Sequence, residues 1–223
     1  MSSPEIGPAI KKERGNWSSA PRFGAARLAW PPRPSASKMR FSWHIVAGLL
    51  CLAGLGMLAF SPVGQRWVYP LPHRGSIVKF ARENGLRPTL VAALIRQESS
   101  FRVNARSAVG ATGLMQLLPS TAQWVSESLE GSKFSLARLT EPEVNLRLGA
   151  LYLGHLRDRF GERPILYLAA YNAGPRCVDE WLGEMNGRLA VADIPFPETR
   201  AYVAGVLRGQ ASYAQLYPEL DAP

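Results

Sequence analysis

The chain has 223 residues, 47% of them hydrophobic, and a formal net charge of +9 at pH 7, which leaves room for one globular core of roughly 150 residues plus appendages. Eight Lys/Arg against two acids in residues 1–40 carry six of the nine charges. The remainder is therefore only mildly basic, as suits an acidic polymer or plain solubility, and no nucleic-acid partner is expected.

Residues 1–38 are rich in Pro, Ser, Ala, Gly and Arg without an apolar period, so they bury too little surface to offset the entropy of ordering and are expected to form a disordered basic tail. Residues 41–60 then run twenty positions without a formal charge behind Lys38 and Arg40. A helix of that length spans about 30 Å, the thickness of a bilayer's hydrocarbon core. The expectation for 39–61 is an uncleaved transmembrane anchor, with the basic flank on the cytoplasmic side and the rest of the chain outside. A cleaved signal peptide beginning at Met39 is the alternative, disfavoured by Pro62 behind the small-residue exit at Ala59-Phe60-Ser61. Cys51 lacks the flanking residues of a lipoprotein signal. The three prolines of 62–73 are expected to break any helix there and make a linker, with Trp67 and Tyr69 near the headgroups.

Beyond the linker, Gly and Pro punctuate apolar stretches that lack strand alternation. Helices are expected near 75–84, 88–99, 120–129, 143–160, 164–173, 176–185 and 197–213, giving an all-α domain. Cys177 stands alone beyond the apolar stretch, so no disulfide is expected and it reads as a packing residue. His44, His73 and His155 form no metal-ligand cluster, and no metal or cofactor is expected.

The chemistry concentrates in 87–122. Pro88 suits a first helical position, and Leu90, Leu94 and Glu98 follow at i, i+4 and i+8 beside Val91 and Ile95, which sets a carboxylate on the apolar stripe of its own helix. An inward Glu near the negative end of a helix is costly to ionise, so its pKa should rise to where a general acid works at neutral pH. Periodicity alone leaves open a second reading, in which Glu98 reaches water at a fraying helix end. Ser107 reads equally as the start of a turn. Tyr171 reads as a core tyrosine, and Glu198 as a charge complementing the first turn of its helix.

Four segments together carry a resemblance. Glu98-Ser99, then Ser107-Ala108-Val109-Gly110-Ala111-Thr112-Gly113-Leu114-Met115-Gln116, then Ala170-Tyr171-Asn172-Ala173-Gly174-Pro175, then Ile194-Pro195-Phe196-Pro197-Glu198-Thr199-Arg200-Ala201-Tyr202 resemble, in that order, the catalytic domain of the soluble lytic transglycosylase (SLT) family. The resemblance covers 69–217 and leaves 218–223 as a tail. It implies a lysozyme-like, goose-type helical domain that cleaves the glycan strands of bacterial peptidoglycan without water, forming 1,6-anhydromuramic acid. Glu98 matches the acid/base of that family. Ser107 and Gln116 match residues lining the sugar subsites, Met115 one that packs against the saccharide, Tyr171 and Asn172 residues facing the acid, and Glu198 a polar contact in the groove. With the anchor, this implies a single-pass inner-membrane protein with a periplasmic catalytic domain and cell-wall machinery proteins as further partners. Arg176-Cys177 departs from the small residue and Arg common after the third motif. The rival enzyme is a goose-type lysozyme-like hydrolase, which would place a second carboxylate near Glu98, whereas the next acid along the chain is Glu127. The rival of another class is a non-catalytic wall-binding protein.

Overall fold

A computed structural model describes residues 43–222. The chain divides into two units, Met1–His44 and Ile45–Pro223. The tail expected over 1–38 lies outside the described residues.

The first described element, α1 (Trp43–Phe60), is an 18-residue helix with no acidic or basic residue at its ends. Here the anchor expectation is corrected: among the described residues no helix is long and apolar enough to cross a membrane. The eighteen described residues of α1 cover about 27 Å, against a hydrocarbon core of ~30 Å. Ser61 then ends it by starting another. Its hydroxyl accepts from the Gly64 amide at 3.1 Å, and Pro62 takes the first position of α2 (Pro62–Val68). The linker thus holds a helix, because proline at the first turn initiates one where further in it would break it.

The same device recurs down the chain. Prolines open α4 (Pro88–Ser99), α5 (Pro119–Trp124), α6 (Pro142–Phe160), α7 (Pro164–Ala173), α8 (Pro175–Glu184) and α9 (Pro197–Leu216). Each fixes φ at a helical value and withholds an amide that would have had no partner. Among the helices after α1, only α3 (Arg74–Glu83) starts without one. A wide π turn, Val125–Leu129, extends α5. Among the described residues the extended pairings are two isolated bridges, Arg106 with Thr112 and Thr112 with Leu117.

The core forms around α4. Residues from Pro88 to Ile95 are buried on every side of this helix, so it is enclosed rather than merely amphipathic. It packs most extensively on α9. Their approach is close because a Cβ on Gly209 would stand 3.2 Å from the Ala93 methyl, and one on Gly205 would stand 2.7 Å from the Gln97 carbonyl oxygen. Small residues spaced i, i+4 let two helix axes come near enough for side chains at their ends to meet.

Both chain flanks join this core. Tyr213 and Tyr217 donate to the carbonyls of Pro70 (2.8 Å) and Tyr69 (2.9 Å), while the Arg96 guanidinium donates to the Val68 carbonyl and lies 4.4 Å from the centre of the Tyr69 ring. At the other end, Leu220 is buried, and Asp221 accepts from the Thr89 amide at 3.0 Å and hydroxyl at 2.6 Å. The expected tail therefore caps the start of α4.

Candidate active site

Glu98 occupies the last turn of α4, where the helix leaves the core. Arg96 is half-buried, Gln97 exposed, Glu98 half-buried and Ser99 buried again. Both readings of the sequence meet here, since the residue ends its helix and is also shielded. Burial pushes its carboxyl from 4.5 up to about 7, against a hydrogen bond from Tyr202 that lowers it. The Tyr202 hydroxyl donates to Glu98 Oε1 at 2.7 Å from α9. A carboxylic acid so placed holds its proton through neutral pH and can still release it.

After Ser99 the chain turns sharply. Ser100 and Phe101 have φ of 51° and 62°, the left-handed region that costs non-glycine residues about a kcal/mol or more each. The turn sends residues 102–117 back across the end of α4, and the Ser99 hydroxyl ties them there by donating to the Leu114 carbonyl at 2.7 Å. Asn145, fully buried on α6, clasps the same loop from behind. Its oxygen accepts from the Met115 amide at 2.7 Å, and its nitrogen donates to the Thr112 and Leu139 carbonyls, each at 2.9 Å. Gly113 is required where they touch, since φ is 85° and a Cβ would lie 2.3 Å from the Asn145 nitrogen.

On this scaffold the residues singled out in the sequence separate into groups. Tyr171, at the end of α7, donates to the Met115 carbonyl at 2.8 Å. Burial and the neighbouring Glu98 charge push the phenols of Tyr171 and Tyr202 well above their ordinary range, so both remain donors. A cavity of about 320 Å³ lies alongside, lined by Gln116, Leu118, Thr121, Tyr152, Tyr171 and Asn172 among others. Gln116, itself at φ 46°, spends its amide nitrogen on the Ala105 and Gly113 carbonyls at 3.1 and 3.0 Å. That leaves its oxygen to accept. Asn172 is oriented by Thr199, whose hydroxyl donates to its oxygen at 2.7 Å, leaving the amide nitrogen to donate.

Met115, Ser107 and Glu198 lie elsewhere. The Met115 side chain is fully buried and packs on Gly149, whereas Leu118, among the apolar side chains of the cavity wall, is 40% exposed. Ser107 is exposed and closes its own turn, its hydroxyl accepting from the Ala111 amide at 3.0 Å. Glu198 is exposed in the first turn of α9, beside the Thr199 that holds Asn172.

Sequence reasoning missed Tyr202, Thr199, Leu118 and Asn145. Tyr202 had a legible signal in Gly205 and Gly209, which follow it at helical spacing on one face and mark where α9 closes on α4. Asn145 had none, because a polar residue within an amphipathic helix looks the same whether it faces water or clasps a loop.

Comparison with known proteins gives a consistent picture. The transglycosylase SLT domain family matches residues 76–192. The soluble lytic murein transglycosylase of Salmonella typhimurium is 37% identical over 159 residues, which is 69% of this chain and 25% of that protein. The Escherichia coli protein of the same name is 38% identical over 150 residues, 65% of this chain and 23% of its own length. Among solved structures, an inactive mutant of the lytic transglycosylase Slt from Pseudomonas aeruginosa superposes with a TM-score of 0.65 at 35% identity, covering 82% of this chain and 30% of that one. The chain spans about a quarter of the length of the curated relatives it matches. Those two relatives are named soluble, which also runs against the inner-membrane placement expected from the sequence.

Proposed function

The chain belongs to the transglycosylase SLT domain family, and from that premise we propose that it is a peptidoglycan lytic transglycosylase, cleaving the bond between N-acetylmuramic acid and N-acetylglucosamine with Glu98 as its one acid/base. The observation that carries this reading is Glu98 itself: its proton is held to about pH 7 by burial against the lowering hydrogen bond of Tyr202, so the raised value owes nothing to a second carboxylate among the described residues.

A single carboxyl suffices for physical reasons. Ordinary glycosidases need a second one to act as nucleophile or to direct water. An acetamido sugar can stabilise its own oxocarbenium centre, and its C6 hydroxyl is already attached to the reacting ring, so proximity replaces water activation. In the proposed step Glu98 gives its proton to the glycosidic oxygen as the C1–O bond breaks. The resulting carboxylate takes the proton of the C6 hydroxyl as that oxygen closes on C1. The proton is restored, no water is consumed, and the product ends in 1,6-anhydromuramic acid.

The remaining side chains have roles that follow from their hydrogen-bonding capacity. Tyr202 steadies the carboxylate formed midway. Gln116 offers an acceptor and Asn172 a donor to the amide and hydroxyl groups of the sugar, and Leu118 offers an apolar contact for a ring face. Met115 serves through its backbone, by fixing Tyr171. Ser107 and Glu198, exposed and outside that cavity, are left to meet the polymer rather than the reacting ring.

The test is the mass of the products. Sacculi digested with the chain should release muropeptides lighter by one water than their hydrolysed forms, with 1,6-anhydro ends. A predominance of reducing ends would instead assign a lysozyme-like hydrolase, and no release at all would leave a wall-binding protein.

A further inference from the structure

The cavity beside Gln116 and Tyr171 does not end at the site. Thr121, Tyr152 and Pro175 line it and also line a second cavity of about 310 Å³, whose other walls include Trp124, His155 and Arg159. Shared walls make the two one elongated cleft across α5, α6 and the junction of α7 with α8, each part within the range of about 300 to 1,000 Å³ found for small-ligand sites.

At the far part of this cleft the Trp124 side chain is 40% exposed. It is nevertheless fixed, with its ring edge-on to Tyr152 (centroids 6.3 Å apart, planes at 83°) and to His155 (5.2 Å, 70°). Arg159 is held at the same place by Asp179 at 2.5 Å. A large apolar plate, immobilised in advance and open to solvent beside hydroxyl and cationic donors, loses little entropy on binding and matches one ligand shape well. A pyranose ring has an apolar C–H face for the indole and a rim of hydroxyl and acetamido groups for Thr121 and Arg159.

We infer that Trp124 forms a distal sugar subsite, taking an N-acetylhexosamine ring of the glycan strand remote from the bond that Glu98 breaks. The inference rests on the transglycosylase reading, because continuity with a site that acts on a polymer is what identifies the occupant. Trp124 is a specificity residue here: it selects long strands and leaves the chemical step alone.

The experiment uses the whole chain carrying Glu98→Gln, so that nothing is turned over, titrated calorimetrically with chitooligosaccharides of increasing length. Affinity should rise at the length that reaches Trp124. Adding Trp124→Ala should remove about tenfold of that gain while the shortest binding oligomer keeps its affinity, which also reports an intact fold, and Trp124→Phe should restore most of it. An undiminished gain in Trp124→Ala overturns the subsite and leaves the function standing. Loss of the shortest ligand in both Trp124 variants overturns it too, since a distal plate cannot hold a ligand that does not reach it. If no oligomer binds, and the unsubstituted chain releases no muropeptides, the transglycosylase reading fails and the subsite falls with it.

Discussion

Glu98 trades stability for function. Its carboxyl titrates near 7 in the folded chain against an ordinary value of 4.5, so the native state binds this proton more tightly than the unfolded state. The stability it contributes is full below the ordinary carboxylate range and is lost as pH rises through about 7. Glu98→Gln, which cannot ionise, should therefore gain denaturant resistance relative to the unsubstituted chain as pH rises from about 5 to about 8. It should also lose at least about a hundredfold in muropeptide release, the minimum expected for a missing acid/base. Matched midpoints at all pH values would show that Glu98 is not shielded. Tyr202→Phe removes the one hydrogen bond that lowers the Glu98 pKa. The alkaline limb of its rate profile should move to higher pH while the fold is retained, and an unmoved limb would take Tyr202 out of contact with the acid.

Between elements, the loop of residues 102–117 is held by one side chain more than by its own bridges. Asn145→Ala would take their side-chain partner from the Met115 amide and the Leu139 carbonyl, while the Thr112 carbonyl keeps the Leu117 amide. Stranded buried groups cost about 1 to 3 kcal/mol each, partly relieved by water. A urea titration should show a loss of at least about 2 kcal/mol, and a sharper loss of activity, because Gln116 and the carbonyl that holds Tyr171 sit on that loop. A loss under 0.5 kcal/mol, which is about what an exposed position gives, would mean that the loop keeps its shape unaided.

For the molecule as a whole, the start of the catalytic helix is secured by the end of the chain. Asp221 accepts both donors of Thr89, capping α4 from a position 132 residues away in sequence. Removing a cap of this kind typically costs about 1 to 2 kcal/mol. Asp221→Ala should therefore lower the melting temperature by about 2 to 8 °C, measurable by circular dichroism at 222 nm. An unchanged melting temperature would make the 218–222 segment a tail after all. The flank before α3 is anchored comparably, by the tyrosines of α9 and by Arg96 on α4, so the folded unit takes in residues 68–70, where the resemblance begins.

Local rules carried the sequence a long way. Proline at first helical positions and glycine beyond last ones delimited most helices to within a few residues, because each acts through its own backbone. Four spaced motifs singled out Glu98 and brought with them Tyr171, Gln116 and Asn172, which the fold sets around one cavity. What sequence could not supply was direction and company. Met115 and Leu118 are three residues apart, and only packing against Gly149 decides that the first is core and the second faces the cavity. Tyr202 and Glu98 lie 104 residues apart and meet because glycines let α9 close on α4. The apolar run of 41–60 met a compositional rule for a membrane span, yet no helix among the described residues is long and apolar enough to cross a membrane. Periodicity and caps are written into neighbouring residues, whereas burial, which sets the Glu98 pKa, is a property of everything folded around it.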